Sequence, residues 1–199
     1  CIDGLICADG GSWSWPSGSG GSIWLTARTL TGGGIIRANG GIPTGSFPGG
    51  GGRISLVLTN ADADFTLYNG SILASGGNSG GGAGTIYTKL AGDRPRGGAV
   101  LVDNIGLSGC TDMPPGPSNV TNEVEFAAFR VANAANLRLT NDFMLGDIFL
   151  PSANVQLDLG AKTLTVRSRA HPLGSGAVTN YGAIVWWPDI PKGVVFSIW

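Results

Sequence analysis

Apolar and polar residues alternate along the chain in short bursts that follow runs of glycine. The aligned isoleucines Ile23, Ile54 and Ile86 stand in three such bursts, 31 and 32 residues apart. A second repeated element lies between them, because residues 34–41 are similar to residues 70–77. Alternation at every second position predicts short β-strands, each with one buried face and one solvated face.

The second half of the chain repeats at a shorter interval. Residues 135–140 recur as 153–158, an offset of 18, and residues 129–131 recur as 148–150. Repeats of this kind, built from short strands, predict an all-β fold of the β-solenoid type, a parallel β-helix in which each strand pairs with its counterparts in the neighbouring coils. The alternative is an antiparallel β-sandwich, which explains the short strands and turns but not the self-similarity.

Thirteen apolar residues are predicted to form ladders in the interior of the coils. They are Ile23, Leu25, Ile35, Ile54, Leu56, Ile72, Ile86, Leu137, Leu139, Val155, Leu157, Leu164 and Val166. The Gly and Asn residues between the strands are predicted to form corners, because they accept left-handed or strained backbone.

The pattern divides the chain into four predicted segments. Residues 1–19 form an N-terminal cap or assembly segment, and residues 20–92 form glycine-rich coils. Residues 93–125 form an irregular excursion, since the proline-rich stretch 112–117 does not fit inside a regular ladder. Residues 126–199 form more regular coils that end in an exposed strand.

Composition excludes several classes of protein. Glycine accounts for 35 of 199 residues, 26 of them in the first hundred, but no Gly-X-Y period of collagen is present. The recurring apolar bursts exclude a disordered linker. Twelve basic and thirteen acidic residues give a net charge of −1, so no basic stripe is available for nucleic acid. No apolar run reaches the about 18 residues that a membrane span needs.

Several stretches resemble a known class of protein. Residues 20–41, 49–54 and 157–166 look like parts of large secreted bacterial surface proteins predicted to carry glycine-rich right-handed parallel β-helices, broadly adhesin-like or pectate-lyase-like. The resemblance covers about residues 18–90 and 126–187. It implies an extracellular wall, matrix or adhesive role and specifies no activity.

The cysteines and the glycosylation sequons are consistent with secretion. Cys1 and Cys7 are close enough in sequence for a small disulfide loop that leaves Cys110 over. The spacing is also compatible with a Cys1–Cys110 bond, with an intermolecular bond or with three reduced thiols. No CxxC spacing is present, so zinc is not expected. Asn69 and Asn119 stand in Asn-x-Ser/Thr sequons and are candidate glycosylation sites.

Few residues point to catalysis. Alternation would place Asp62 and Asp64 on one face of a strand. There the two carboxylates would serve as a general acid/base pair or bind calcium. The other interpretation of these residues is a solvated turn between strands. Neither a Gly-x-Ser-x-Gly nor a His-Glu-x-x-His motif is present. We therefore expect no catalytic residue, no metal and no cofactor.

Tryptophans near both ends of the chain suggest contacts with other molecules. Trp13, Trp15, Trp186, Trp187 and Trp199 are candidates for the ends at which copies of the chain assemble, for end-capping of the core, or for stacking on sugar rings. The leading hypothesis is a secreted, non-catalytic structural or adhesive β-solenoid that polymerises head-to-tail into an extracellular fibre. The alternative is a carbohydrate-binding or polysaccharide-cleaving β-helix whose partners are extracellular glycans.

Overall fold

The computed structural model describes residues 1–113, 124–168 and 173–187. Within these ranges the protein is all-β, with sixteen short strands and no helix, and therefore no helix that is long and apolar enough to cross a membrane. The first strands are β1 (Leu5–Cys7), β2 (Ser22–Ala27), β3 (Ile35–Arg37), β4 (Arg53–Leu58), β5 (Ser71–Leu73), β6 (Thr85–Lys89), β7 (Ala99–Asp103) and β8 (Gly109–Asp112). The others are β9 (Ala128–Ala132), β10 (Ala135–Arg138), β11 (Phe143–Leu145), β12 (Asp147–Phe149), β13 (Gln156–Asp158), β14 (Thr163–Val166), β15 (Ala177–Thr179) and β16 (Ala183–Trp186).

The strands form four sheets, and neighbours in a sheet are seldom neighbours in sequence. The orders are β1-β3-β5, β15-β13-β10-β8, β11-β14-β16 and β12-β9-β7-β6-β4-β2. Every described pairing is parallel except that of β6 with β7, where the chain reverses. Parallel neighbours need a crossover connection, so the chain leaves each sheet and returns to it one strand further along. The antiparallel alternative does not describe these sheets.

The strand registers predicted for the first half are confirmed. Ile23 pairs with Ile54, and Ile54 pairs with Ile86. Ile36 pairs with Ile72, which is the alignment of residues 34–41 with 70–77. Equivalent residues of successive repeats therefore stack on one another along these sheets.

In the second half one predicted register is confirmed and the other is wrong by two residues. Phe129 pairs with Ile148, as predicted. Leu137 pairs with Leu157, an offset of 20, whereas the prediction aligned Leu137 with Val155. The backbone N–H of Val155 instead closes a turn just before β13. A shift of two residues keeps the same face of a strand inward, so Val155 and Leu157 are both buried.

The interior matches most of the predicted ladder. The fully or almost fully buried members are Ile54, Leu56, Ile86, Leu137, Leu139, Val155, Leu157, Leu164 and Val166. The prediction for Ile35 is wrong: it is 38% exposed, and its neighbour Ile36 is buried, because alternation in β3 allows only one of the two inside. Ile23, Leu25 and Ile72 are only partly buried, since β2 and β5 lie at sheet edges among the described residues.

Most glycines lie between strands, as predicted, but the left-handed backbone expected of them is largely wrong. Among the described glycines of the first hundred residues, only Gly32, Gly80 and Gly98 have a left-handed φ. Most of the others lie where two backbones approach too closely for a side chain. A Cβ on Gly49 would lie 1.9 Å from the carbonyl oxygen of Gly18, and one on Gly77 would lie 1.9 Å from that of Gly41.

We call these close-packed segments the glycine stack, made of residues 18–21, 38–41, 49–52, 74–77 and 81–84. The segments hydrogen-bond to one another through the backbone, as in Gly41 N–H to Gly18 O (2.8 Å), Gly49 N–H to Gly41 O (3.1 Å) and Gly77 N–H to Gly49 O (2.9 Å). Backbone thus packs on backbone in this part of the molecule, which explains why glycine is concentrated in the first half.

Two of the predicted segments contribute strands to the sheets. Residues 1–19 include β1, which pairs with β3. Residues 93–113 include β7 and β8, which pair with β9 and β10. The segment boundaries themselves stay predictions, and the proline-rich residues 114–117 lie outside the described residues.

Candidate functional site

Three loops leave the glycine stack side by side. Residues 12–17, 42–48 and 78–80 each connect one glycine run to the next. Backbone hydrogen bonds close the bases of the first two loops, from Gly18 N–H to Gly11 O (2.9 Å) and from Gly49 N–H to Gly41 O (3.1 Å). We call these three loops together the aromatic loop surface.

The first two loops are also bonded directly to each other. The backbone N–H of Ile42 donates to Ser12 Oγ (3.0 Å), and the backbone N–H of Ser17 donates to Phe47 O (3.2 Å). The rings of Trp15 and Phe47 lie 5.2 Å apart between centroids and are inclined at 59°. These contacts hold an aromatic pair at the outer end of the loops.

Large apolar side chains are exposed on this surface. Trp13 is 70% exposed, Trp15 63%, and Phe47 and Ile42 61% each. Scattered apolar residues are ordinary on a protein surface, but a contiguous group on adjoining loops marks an interaction site. The aromatic loop surface is therefore the strongest candidate for a binding site among the described residues.

Glycines in the loops make room for the indole rings. A Cβ on Gly45 would lie 2.9 Å from Nε1 of Trp15, and a Cβ on Gly11 would lie 2.8 Å from Nε1 of Trp13. A side chain at either glycine would push the indole away from its present position. The orientation of both tryptophans therefore depends on a neighbouring glycine.

A groove adjoins the aromatic pair. It has a volume of about 500 Å³ and lies between the second and third loops, lined by Pro43, residues 45–48 and residues 78–80. Phe47 belongs both to the aromatic pair and to the lining of this groove. None of the three loops contains a charged residue.

The tryptophans predicted at the assembly ends are found in different environments. Trp13 and Trp15 lie on one loop, whereas Trp186 packs against the hydrophobic core of the second half. Trp187 is 46% exposed, and the guanidinium of Arg167 lies 4.7 Å from the centroid of its ring. Trp199 lies outside the described residues.

Phe47 and Ile42 belong to the site although the sequence patterns above do not point to them. The signal that leads to them is the register of β1 with β3, where Leu5 pairs with Ile35, an offset of 30 residues. The same offset carries Ser12 to Ile42 and brings the loop 12–17 onto the loop 42–48. A prediction based on that offset would have joined Trp15 to the second loop.

Asp62 and Asp64 do not form the acidic pair that alternation suggested, because residues 60–66 form turns and not a strand. Asp64 accepts hydrogen bonds from the hydroxyl (2.5 Å) and the backbone N–H (2.9 Å) of Thr66. These two bonds lower the pKa of the Asp64 carboxyl below its ordinary value. Both bonds end on Oδ1, which holds the turn, and no group of three or more potential metal ligands occurs in the described part of the chain.

The three cysteines are free, exposed thiols in this structure. Cys1 Sγ lies 2.9 Å from a carboxylate oxygen of Asp3, and Cys7 is the register partner of Arg37. Cys110 is nevertheless partly shielded from water, and this partial burial is the main cause that raises the pKa of its thiol above its ordinary value. A raised pKa keeps the thiol protonated and unsuited to nucleophilic attack.

A second groove, of about 340 Å³, lies beside the glycine stack. Its floor is glycine backbone, and its polar rim includes Arg53, Cys110 and Asp112. Asp112 is already engaged, because both of its oxygens accept hydrogen bonds from Arg138, at 2.7 and 3.0 Å. Thr111 is engaged as well, because its Oγ1 donates to Ala83 O (2.8 Å).

Only one of the two sequons lies among the described residues. Asn69 is exposed at the surface. Its backbone N–H donates to Gly32 O (2.9 Å), which fixes the backbone there without engaging the side chain. Asn119 lies outside the described residues. Glycosylation at both positions stays a prediction.

No protein-family model, curated protein or solved structure matches the chain. The resemblance to secreted bacterial surface proteins therefore stays a prediction that rests on residues 20–41, 49–54 and 157–166.

Proposed function

We propose that the chain is a non-catalytic, right-handed parallel β-helix that works outside the cell as an adhesive element, with the aromatic loop surface as its point of contact. The solenoid architecture is supported by the strand pairing. Parallel partners are separated by 30 to 36 residues for β1, β2, β3, β4, β5 and β6, and by 19 to 21 residues for β9 to β16. A chain that repeatedly returns to the same sheets at near-constant intervals is expected of stacked coils.

The observation that carries the adhesive role is the exposure of Trp13, Trp15, Ile42 and Phe47 on loops with hydrogen-bonded bases. Contiguous exposed apolar groups are unfavourable in water unless a partner covers them. A base made of hydrogen-bonded backbone reduces the conformational entropy that the loops lose on binding. Both features favour a surface built to bind.

The non-catalytic part of the proposal is supported by the way the candidate catalytic groups are used. Asp64 is engaged with Thr66, and the thiol of Cys110 has a raised pKa. Neither group is prepared for proton transfer or nucleophilic attack.

Bead retention tests the adhesive role. Beads coated with the chain are passed over immobilised extracellular matrix and cell-wall material, and compared with beads that carry the W15A/F47A double variant. We expect the native chain to be retained and retention of the variant to fall several-fold. Equal retention of the two would contradict the proposal.

A second element of the proposal is assembly of copies of the chain. β1 and β2 are edge strands of their sheets among the described residues, and they carry exposed Leu5 (55%) and Trp24 (81%). Open strand edges accept another strand. Head-to-tail addition at this edge predicts fibres in electron micrographs of the concentrated protein, which T26K on β2 would suppress; monodisperse particles at every concentration would contradict it.

A further inference from the structure

We infer that the aromatic loop surface binds a neutral polysaccharide. This inference rests on the proposed adhesive function and names the class of its ligand. Three features carry it: the absence of charge, the geometry of the aromatic pair, and the hydroxyl groups beside it.

The surface offers no counter-charge to an ionised ligand. Residues 12–17, 42–48 and 78–80 contain no Asp, Glu, Lys, Arg or His. The nearby carboxylate of Asp9 is engaged by Arg37 (2.7 Å) and by the backbone N–H of Asn39 (2.9 Å). A uronic acid or sulfate group would lose hydration here without gaining a partner, whereas a neutral sugar would not.

The aromatic pair has the shape to contact non-coplanar sugar rings. The planes of Trp15 and Phe47 are inclined at 59°, so they present two faces in different directions. A flat aromatic ligand would cover only one of these faces. A saccharide chain presents the apolar C–H face of one residue and then the turned face of the next, and thus contacts both.

The loops that carry the aromatic rings also carry six hydroxyl residues. Ser12 and Ser17 hold the loops, since their Oγ atoms accept hydrogen bonds from the backbone N–H groups of Ile42 (3.0 Å) and Trp13 (3.4 Å). The other hydroxyl residues of the three loops are all exposed. They are Ser14, Thr44, Ser46 and Ser79. A hydroxyl both donates and accepts, which suits the hydroxyl groups of a sugar.

The adjoining groove extends the same chemistry. Its volume of about 500 Å³ lies within the range of small-ligand sites, about 300 to 1,000 Å³. Phe47 and Pro43 supply apolar wall, and Asn78 and Ser79 supply polar groups. A short oligosaccharide that contacts Trp15 and Phe47 would continue into this groove. Protein interfaces are also enriched in aromatic residues, but they are enriched in Arg, which these loops lack, and depleted in Ser, which these loops contain.

Affinity electrophoresis tests the inference. The full chain is run through gels that contain a neutral β-glucan, mannan or galactan, and through gels that contain polygalacturonate or a sulfated galactan. We expect retardation by at least one neutral polymer and none by the charged polymers. W15A and F47A should each weaken binding about tenfold, and W15F should weaken it less.

A matched control separates the site from aromatic exposure in general. Tyr181 is fully exposed but lies between β15 and β16, outside the three loops and away from the β1 and β2 edge, so Y181A should change binding less than about twofold. G45A keeps every aromatic ring yet displaces Trp15, and should weaken binding as W15A does. Thermal unfolding of each variant shows that it is folded.

The outcomes distinguish failure of the neutral-glycan inference from failure of the proposed adhesive function. Stronger binding to charged polymers, or equal binding by W15A and Y181A, would overturn the neutral-glycan inference. If no polysaccharide binds but bead retention still depends on Trp15 and Phe47, the ligand is a protein or a second copy, and only the inference fails. If bead retention is also independent of these residues, the proposed function fails with it.

Discussion

The two halves of the described structure are held together in different ways. In residues 1–92, the glycine stack packs backbone against backbone, and nine buried apolar residues form a small cluster beside it. In residues 124–168 and 173–187, most of a larger cluster of nineteen buried apolar residues fills the interior, and Asn133, Gly160 and Asn180 take left-handed conformations between strands.

Parallel ladders therefore tolerate two kinds of interior. Side-chain packing gains stability from buried apolar area, and it tolerates small changes of shape by repacking. Backbone packing gains hydrogen bonds, but it leaves no space for any side chain and carries the entropy cost of glycine. The two halves should therefore respond differently to substitution.

The largest effect is expected from G49A in the glycine stack. The new Cβ would lie 1.9 Å from Gly18 O, and a backbone atom cannot move aside without breaking the hydrogen bonds on both sides of Gly49. We expect a loss of about 4 kcal/mol or more in the free energy of unfolding, or failure to fold. Urea unfolding followed by circular dichroism measures it. G92A is the control, since nothing lies within 4 Å of its Cβ and its effect should be within about 0.5 kcal/mol.

A smaller but still large effect is expected from L157A in the second half. Leu157 is completely buried in the side-chain cluster, and truncation should cost about 3 kcal/mol. The same urea experiment applies. V178A replaces its partner in the ladder, which is 39% exposed, and should cost less than about 1 kcal/mol. If L157A costs more than G49A, the contrast between the two interiors is wrong.

Tyr68 provides an intermediate test, because its ring belongs to the apolar cluster of the first half while its hydroxyl bonds to a backbone carbonyl. Its buried hydroxyl donates to Gly34 O (2.8 Å), so Y68F should cost about 1 kcal/mol. Burial also raises the pKa of Tyr68, and a raised folded pKa contributes stability that is present below the unfolded value of about 10 and is lost as the pH rises through the folded value. Y68F should therefore flatten the decline of unfolding free energy above about pH 10; an unchanged alkaline decline would contradict this role.

The smallest effect is expected from R138Q on the surface. Arg138 makes two hydrogen bonds to Asp112, but both side chains are about half exposed, at 46% and 52%. We expect only a small loss of stability, reduced further in high salt because the exposed pair is screened by solvent and by ions. Thermal unfolding at low and at high ionic strength measures both. A larger, salt-independent loss would mean that the second half depends on its ion pairs.

The sequence predicted the strand ladder better than it predicted the packing between strands. Ile23, Ile54 and Ile86 could be aligned because alternation and repetition act together. Ile35 and Ile36 could not be separated, because adjacent isoleucines satisfy either phase of alternation. The role of the glycines could not be predicted for a physical reason: a run of glycine fits a left-handed turn as well as a close approach of backbones.

The candidate site was predictable only in part. Trp13 and Trp15 stand out in the sequence as tryptophans available for contact, but Phe47 lies about one repeat away from Trp15 and joins it through the register of β1 with β3. The glycines beneath the indoles give no separate signal in a chain so rich in glycine. The prediction of an Asp62/Asp64 pair required the alternation of a strand to extend through residues 60–66, but these residues form turns.

The way in which the glycine stack holds its loops has a consequence for evolution. The bases of the first two loops are closed by bonds between main-chain atoms, at Gly18 and Gly11 and at Gly49 and Gly41. Most side chains of the loops are therefore not needed to hold the loop bases together. Under selection for new targets, the residues at the loop tips would vary while the glycines at the loop bases stay unchanged. A library randomised at the tips would keep a folded base.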